Sequence, residues 1–366
     1  MGWVISNEEF LKSNEVVDFL KLRASAGKTG GSDSGESGKL EAFNSNGRFL
    51  YQQYYYYMGG FNTGNSTPYQ WNSALKPLFT ANKDASAEKS MKYNVGLDMS
   101  LLGKLDVSID AFLDKRSDIL TFNTTTMNYY GNNYSLSNIG KMTNKGFEVT
   151  ANYTDKAGAV DYSLFGIVSY AKNKIDYMGE TPPAYSYNAY TGHPYGTYIG
   201  LVADGFYQLH DFNADGSLKE DVPLSSYGKV QPGDIKYKGF YGNGIIDDTD
   251  QKKIGYPSYP KLSYSFGGDI SYKGFDFSIM FRGAYGGSVN LMDFDNQFIA
   301  FMDNRNAYDI AKEAWAYYPE QGIDTRSTAK YPRLTASNNE NNYRTSSFWI
   351  KKNDFLRIQN MELGYS

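Results

Sequence analysis

Residues Lys261 to Gly287, KLSYSFGGDISYKGFDFSIMFRGAYGG, carry the reading that decides the fold. Leu262, Tyr264, Phe266, Gly268, Ile270 and Tyr272 fall on one face of an extended chain, and Ser263, Ser265, Gly267, Asp269 and Ser271 on the other. Lys273-Gly274 leads into a second strand, where Phe275, Phe277, Ile279, Phe281 and Tyr285 oppose Asp276, Ser278, Met280, Arg282 and Ala284. A period of two, with one aromatic-rich face and one polar face, predicts half-buried strands. Both a soluble sandwich and the wall of a transmembrane β-barrel, lipid outside and water inside, produce this pattern.

The same pattern recurs along the chain. Strands are predicted at 16–26, 49–58, 91–101 and 105–115, then at 147–153, 160–170 and 354–366; with the two already described they make nine. Three hairpins close with short turns, near Gly103, at Lys156 to Gly158 and at Lys273-Gly274. The connections at the opposite ends are long, at about 27–47, 59–88, 116–141, 172–260 and 286–348. Long unstructured loops are uncommon in compact soluble domains. Short turns at one end and long loops at the other are the layout of an outer-membrane barrel, with its turns in the periplasm and its loops outside the cell. The predicted class is all-β, a partial antiparallel transmembrane barrel of about nine strands.

Composition agrees. The chain of 366 residues has a net charge of −4, which gives no reason to expect a nucleic-acid partner. It has no cysteine, so disulfides and thiolate metal sites are excluded. No apolar run is long enough for a membrane-spanning helix, but a spanning strand leaves no such signal. Tyrosine dominates, at 34 residues, and its apolar body and polar tip suit membrane interfaces and sugar-stacking loops.

Chemical motifs are few. Gly239 to Asp250, GFYGNGIIDDTD, follows a calcium-loop spacing with Gly244 at the sharp turn and Asn243, Asp247 and Asp250 at ligand positions. Gly239 and Tyr241 stand where two further ligands belong, so the stretch reads either as a calcium site short of charge or as a turn without the ion. No other cofactor is expected. Ser32 to Gly35, SDSG, resembles a hydrolase fragment, but the only histidines, His193 and His210, stand far away in sequence, and no enzyme is predicted. Tyr185, Tyr187, Tyr190, Tyr195 and Tyr198 are candidates for stacking on sugar faces; the alternative is that they pack loops together. Asn304 to Tyr318 is predicted as a short helix.

Several ordered motifs carry a family likeness. They are Gly233 to Lys238 (GDIKYK), the calcium-like loop, Ile254-Gly255, the Tyr272 to Phe277 turn (YKGFDF), Trp315, Tyr331 to Leu334 (YPRL) and Ser347 to Ile350 (SFWI). Phe355 to Asn360 (FLRIQN) and Leu363 to Ser366 (LGYS) follow, and Phe19 to Ser25 and Asn138 to Glu148 match earlier positions. The chain resembles the carboxyl-terminal half of SusC/RagA-like TonB-linked outer-membrane transporters of the Bacteroidetes. The resemblance implies import of oligosaccharides or peptides across the outer membrane, a SusD-like lipoprotein over the mouth, and TonB-ExbB-ExbD acting through a plug domain. On this reading residues 1–366 are a portion of the barrel domain, surrounded by outer-membrane lipid, with the plug and final strands absent. The alternative function is a carbohydrate-binding or adhesive surface β-protein without transport.

Overall fold

The computed structural model describes residues 1–12, 14–31, 55–63, 70–77, 82, 84–125, 136–294, 298–301 and 306–366. Its main feature is a nine-stranded antiparallel sheet in which spatial order equals chain order. The strands are β1 (Gly2–Val4), β2 (Val17–Gly31), β3 (Glu88–Leu101), β4 (Leu105–Phe122), β5 (Leu136–Ala157), β6 (Val160–Tyr177), β7 (Leu262–Tyr272), β8 (Phe275–Tyr285) and β9 (Phe355–Tyr365). The β3–β4, β5–β6 and β7–β8 hairpins turn tightly at the same end of the sheet. At the last of these, Lys273 and Gly274 both take positive φ, 48° and 85°, the backbone twist that suits a two-residue hairpin.

Two expectations are corrected. Of the predicted strand 49–58, residues 49–54 lie outside the described set, and the described part, within Tyr55–Thr63, is a strand that pairs with Gln70–Pro77 in a separate two-stranded sheet. β1 supplies the ninth strand instead, pairing Trp3 with Leu22. The bounds of the long connections also differ from those predicted, because β2 runs to Gly31, β4 to Phe122 and β6 to Tyr177, β5 starts at Leu136, and β9 starts only at Phe355. The ladder continues past the point where side-chain alternation fades. Register breaks between Arg116 and Ile119, with Asp118 at φ 57°, shift the pattern there.

Register settles which residues share a face. One row runs Trp3, Leu22, Leu97, Ile109, Val149, Val168 and Tyr264 across seven strands. The adjoining row on the other face runs Arg23, Gly96, Asp110, Glu148, Ser169 and Ser263. A one-residue slip exchanges the two sets, so register is strongly specified. On the apolar face, aromatic rings gather at two levels. Tyr153, Tyr162, Tyr272, Phe275 and Tyr365 lie at the turn end, with Phe275 and Tyr365 rings 4.6 Å apart and Tyr153 and Tyr162 rings 6.1 Å apart. Tyr93, Phe147, Tyr170 and Tyr285 lie at the loop end, with Phe147 and Tyr170 rings stacked at 5.6 Å. Phe275 and Tyr285 bound β8, and ten steps of about 3.3 Å, tilted by about 40°, separate them by about 25 Å of height. That is the height of the apolar band of an outer-membrane barrel.

Only three buried hydrophobic residues, Leu120, Leu136 and Ile175, come from these nine strands, and all lie toward the loop end. The apolar face of the sheet therefore has no covering layer within the described chain. Within the sheet, close approach replaces core packing. Gly146 faces Phe112 across the strand pair, and a Cβ at 146 would stand 2.0 Å from the Tyr170 carbonyl oxygen and 2.8 Å from the Phe112 ring. Gly146→Ala is expected to lower stability by about 1–3 kcal/mol, because the obstructing oxygen belongs to a neighbouring strand. Gly166→Ala, with open space around its Cβ, is expected to be neutral. Thermal unfolding of the two variants in detergent checks the contrast; equal melting temperatures would contradict it.

Candidate functional site

The long connections 178–261 and 286–354 fold against each other into a cap at the loop end. Here lies the hydrophobic core that the sheet lacks: Trp349, Ile235, Leu201, Ile246, Tyr237 and Tyr227, all buried. The two connections are joined through the backbone, Leu201 N–H donating to the Thr345 carbonyl and Ser347 N–H to the Leu201 carbonyl.

Asp234, fully buried, organises the junction. Arg333 Nε lies 2.7 Å from one of its oxygens, and the Asn339 and Asn342 amides each donate to it at 2.9 Å. The Gln231 N–H donates to its other oxygen at 2.7 Å. Beside it, amide side chains stand in for a strand partner. Ile235 N–H donates to Asn342 Oδ1 and the Asn341 amide donates to the Ile235 carbonyl. The Tyr237 hydroxyl donates to the Asn341 carbonyl, and the Trp349 indole to that of Asn342. Two sequence motifs, GDIKYK and SFWI, thus meet through an intervening segment that sequence reasoning missed. Its Asn-rich stretch, Asn338 to Asn342, read only as loop; spare amides between aromatic motifs were the available signal. Burial, and then Asp211 and Asp234 nearby, push the Tyr207 phenol up to about 12, so it stays neutral in the cap.

The calcium-like loop lies in this cap. Asp250 accepts from the Phe240 N–H at 2.7 Å and from the Asp247 N–H at 3.1 Å. Asp247 accepts from the Thr249 N–H and hydroxyl, and Asn243 from the Ile245 N–H. These oxygens cap backbone donors within the loop. Asp248, next to them, accepts from the Tyr227 hydroxyl at 2.9 Å. Among the described residues, no group of three or more Asp, Glu or His side chains is arranged around a common point.

The candidate tyrosines separate into distinct settings. Tyr185 is stacked on both Tyr187 and Tyr241, at 5.4 and 4.8 Å, and the Tyr187 hydroxyl donates to the Thr249 carbonyl. These two rings pack the 181–198 segment onto the calcium-like loop. Tyr198 is half-buried in a short pairing with Lys252–Ile254. Tyr190 is exposed, its N–H donating to Glu180. Tyr195 stacks on Tyr259 at 6.0 Å, and both rings are exposed. His193 sits in the turn after Tyr190, where burial and then Lys253 lower its basicity, and His210 lies in a short 3-10 turn. The predicted helix at 304–318 is a 3-10 segment at Asp309–Glu313, with Ala314 and Trp315 buried just after it; residues 304 and 305 lie outside the described set. A Ser32 to Gly35 site likewise lies outside it.

Below the cap, the polar face carries a charge network across three strands. Arg23 on β2 holds Asp98 on β3 through Nε and Nη2, at 2.7 and 2.9 Å, and Asp110 on β4 through Nη1 and Nη2, at 3.1 and 2.8 Å. The guanidinium passes over Gly96, where a Cβ would come within 2.7 Å of it. Glycine there lets one arginine neutralise two carboxylates. Between this face and the cap, two adjoining cavities of about 300 and 410 Å³ share Arg116, Met142, Tyr195 and Tyr259 in their walls.

A sheet with an apolar band between aromatic levels, a charged opposite face and a folded loop cap defines the wall of a membrane β-barrel. The family described as TonB dependent receptor-like, beta-barrel matches residues 15–350, and the chain belongs to it. The chain is 25% identical to TonB-dependent receptor P3 of Formosa agariphila, covering 100% of this chain and 34% of that protein. It is 26% identical to TonB-dependent receptor SusC of Bacteroides thetaiotaomicron, covering 100% and 33%. A solved structure of the RagAB peptide transporter superposes with a TM-score of 0.63 at 17% identity, covering 100% of this chain and 36% of that one. The chain spans about a third of the length of these relatives.

Proposed function

We propose that this chain supplies wall, lumen surface and extracellular cap to a TonB-linked importer of large nutrients, oligosaccharides or peptides, in the outer membrane. The observation that carries this reading is the apolar band between two aromatic levels, backed by a charged inner face that the cap overhangs. A SusD-like lipoprotein covers the cap, and TonB-ExbB-ExbD acts through a plug domain of the whole receptor. The proteins with which the chain shares its family and its fold support this arrangement. The chain's part is passage rather than catalysis. The Gly239–Asp250 loop works as a capped turn, and Tyr185 and Tyr187 hold the 181–198 segment on it.

Deleting Thr181 to Tyr198 from the whole receptor is expected to cut uptake of its nutrient about tenfold or more, with the amount in the outer membrane unchanged. Uptake of labelled nutrient by cells of the source bacterium measures this. Unchanged uptake kinetics would contradict the reading.

A further inference from the structure

The outward face of the sheet is not apolar throughout. Beyond the stacked Phe147 and Tyr170 rings, toward the loop end, two rows cross β2 to β6 on that face. The first runs Ala26, Tyr93, Leu113, Lys145 and Lys172, and the second Lys28, Met91, Lys115, Thr143 and Lys174. These rows hold five lysines, all exposed, and no carboxylate. Lys174 has Asp176 at 3.5 Å; among the described residues Lys28, Lys115, Lys145 and Lys172 form no ion pair. Lys145 stands directly opposite Lys172, and Lys115 and Lys174 lie on its diagonals. Like charges directly opposed across a strand pair destabilise a sheet. Asp98, Asp110, Asp114 and Glu148, on the same strands, fall on the opposite face and leave this repulsion standing. The turn end differs. There Asp155 holds Lys104 at 2.9 Å and Asp161 holds Lys156 at 2.8 Å, while Lys273 lies over the Tyr272 ring at 5.2 Å. Clustered, unpaired cations collect on the loop side.

The place of this patch narrows what it meets. It borders the loop-end aromatic level, where the apolar band gives way to the membrane surface. Lysine stems lie along apolar surface and carry their ammonium groups to that boundary. A lipid headgroup at the same depth is held beside them by its own acyl chains, for which Ile109, Val149 and Val168 offer the band beneath. Lys115, Lys145 and Lys172 stand on three consecutive strands, so the patch is about 10 Å across. That is wider than one phosphate and suits a headgroup bearing more than one. Lysine binds phosphate as a point charge and needs no fixed fork geometry. We infer that the outward face of β4, β5 and β6 binds the phosphate groups of a lipid headgroup in the outer leaflet, with Lys115, Lys145 and Lys172 as the phosphate ligands. Such a lipid relieves the repulsion between Lys145 and Lys172 and ties three strands together from outside. The inference goes beyond nutrient passage and rests on the reading of this face as the one that meets lipid.

The test titrates the whole receptor in detergent with lipid and counts the lipid molecules bound by native mass spectrometry. The probes are diphosphoryl lipid A, the same lipid after removal of its phosphates, and inorganic phosphate as a competitor. Diphosphoryl lipid A is expected to bind at least about tenfold more tightly than the dephosphorylated lipid, with a preference that shrinks as salt is raised. Inorganic phosphate in about hundredfold excess is expected to leave it in place, because the acyl chains add their own hold on the apolar band. The triple variant Lys115→Gln, Lys145→Gln, Lys172→Gln is expected to lose about tenfold or more of that affinity, while Lys115→Arg, Lys145→Arg, Lys172→Arg keeps it and shows that the wall still folds. Equal binding of the two lipids, an unaffected glutamine variant, or full displacement by inorganic phosphate would each overturn the inference. A fluorophore at Ile279→Cys, on the same face of β8, reports separately whether that face meets brominated lipid. Quenching there without a preference for phosphate sinks this inference alone. Absence of quenching removes the lipid-facing side, and the inference with it.

Discussion

Val149→Arg is expected to keep the receptor from accumulating in the outer membrane, whereas Thr150→Arg, one residue along the same strand, is expected to assemble normally. Val149 lies between Ile109 and Val168 in the apolar row, and Thr150 between Ser108 and Ile167 on the polar face. An arginine near the lipid midplane costs about 2–4 kcal/mol, a large part of the marginal stability of a folded protein. On the inner face the same side chain meets water and the carboxylates of the Arg23 network. Denaturant titration of the receptor in lipid bilayers measures the difference directly. Equal destabilisation by the two variants would mean that neither face meets lipid.

The second large effect is expected in the cap. Asp234→Ala removes a buried carboxylate and leaves Arg333, Asn339 and Asn342 without their common acceptor. Breaking a buried ion pair from one side costs about 3–5 kcal/mol, because the remaining charge stays desolvated. Asp234→Asn keeps the shape and one acceptor but still leaves the guanidinium unneutralised, so an intermediate loss is expected. The loss should be local, since the wall makes its hydrogen bonds independently of the cap. Hydrogen exchange at Ile235 and Trp349 should therefore accelerate strongly, while exchange in β7 and β8 should not change. Unaltered protection around Trp349 would contradict the role assigned to Asp234.

These two predictions separate what the sequence made legible from what it concealed. In β7 and β8 every local signal agrees: period-two alternation, aromatic placement and a Lys273-Gly274 turn with both residues at positive φ. Such consistency makes a hairpin readable. The upper parts of β4 and β5 were less readable, because beyond Arg116 the strands rise past the apolar band and the alternation lapses. The strand expected at 49–58 is a strand where it is described, from Tyr55, but four consecutive tyrosines did not say which sheet it joins. The cap was hidden altogether. Its core is assembled from residues more than a hundred positions apart, and its key contacts run from side-chain amides to backbone groups, as from Asn342 to Ile235, which leave no periodicity. The candidate residues were found by type, but their settings needed the fold. Tyr185 and Tyr195 look alike in sequence, yet one ring is stacked between Tyr187 and Tyr241 and the other, stacked on Tyr259 alone, lines the cavity under the cap.

The central claim is that one face of the sheet meets lipid and the other an aqueous lumen. The 366 residues contain no cysteine, so a cysteine placed here is the one label site in this part of the wall, with the unsubstituted receptor as control. Ile279→Cys lies on the apolar face between Gly268 and Met361, and Ser278→Cys on the polar face between Asp269 and Glu362. Each is to be labelled with a fluorophore in the whole receptor and reconstituted into bilayers containing brominated lipid. The expected result is strong quenching of the label at 279 and none at 278, with only the cysteine at 278 reacting with a membrane-impermeant maleimide. Equal reaction of both cysteines with that reagent, and no quenching at 279, would contradict a membrane-spanning wall.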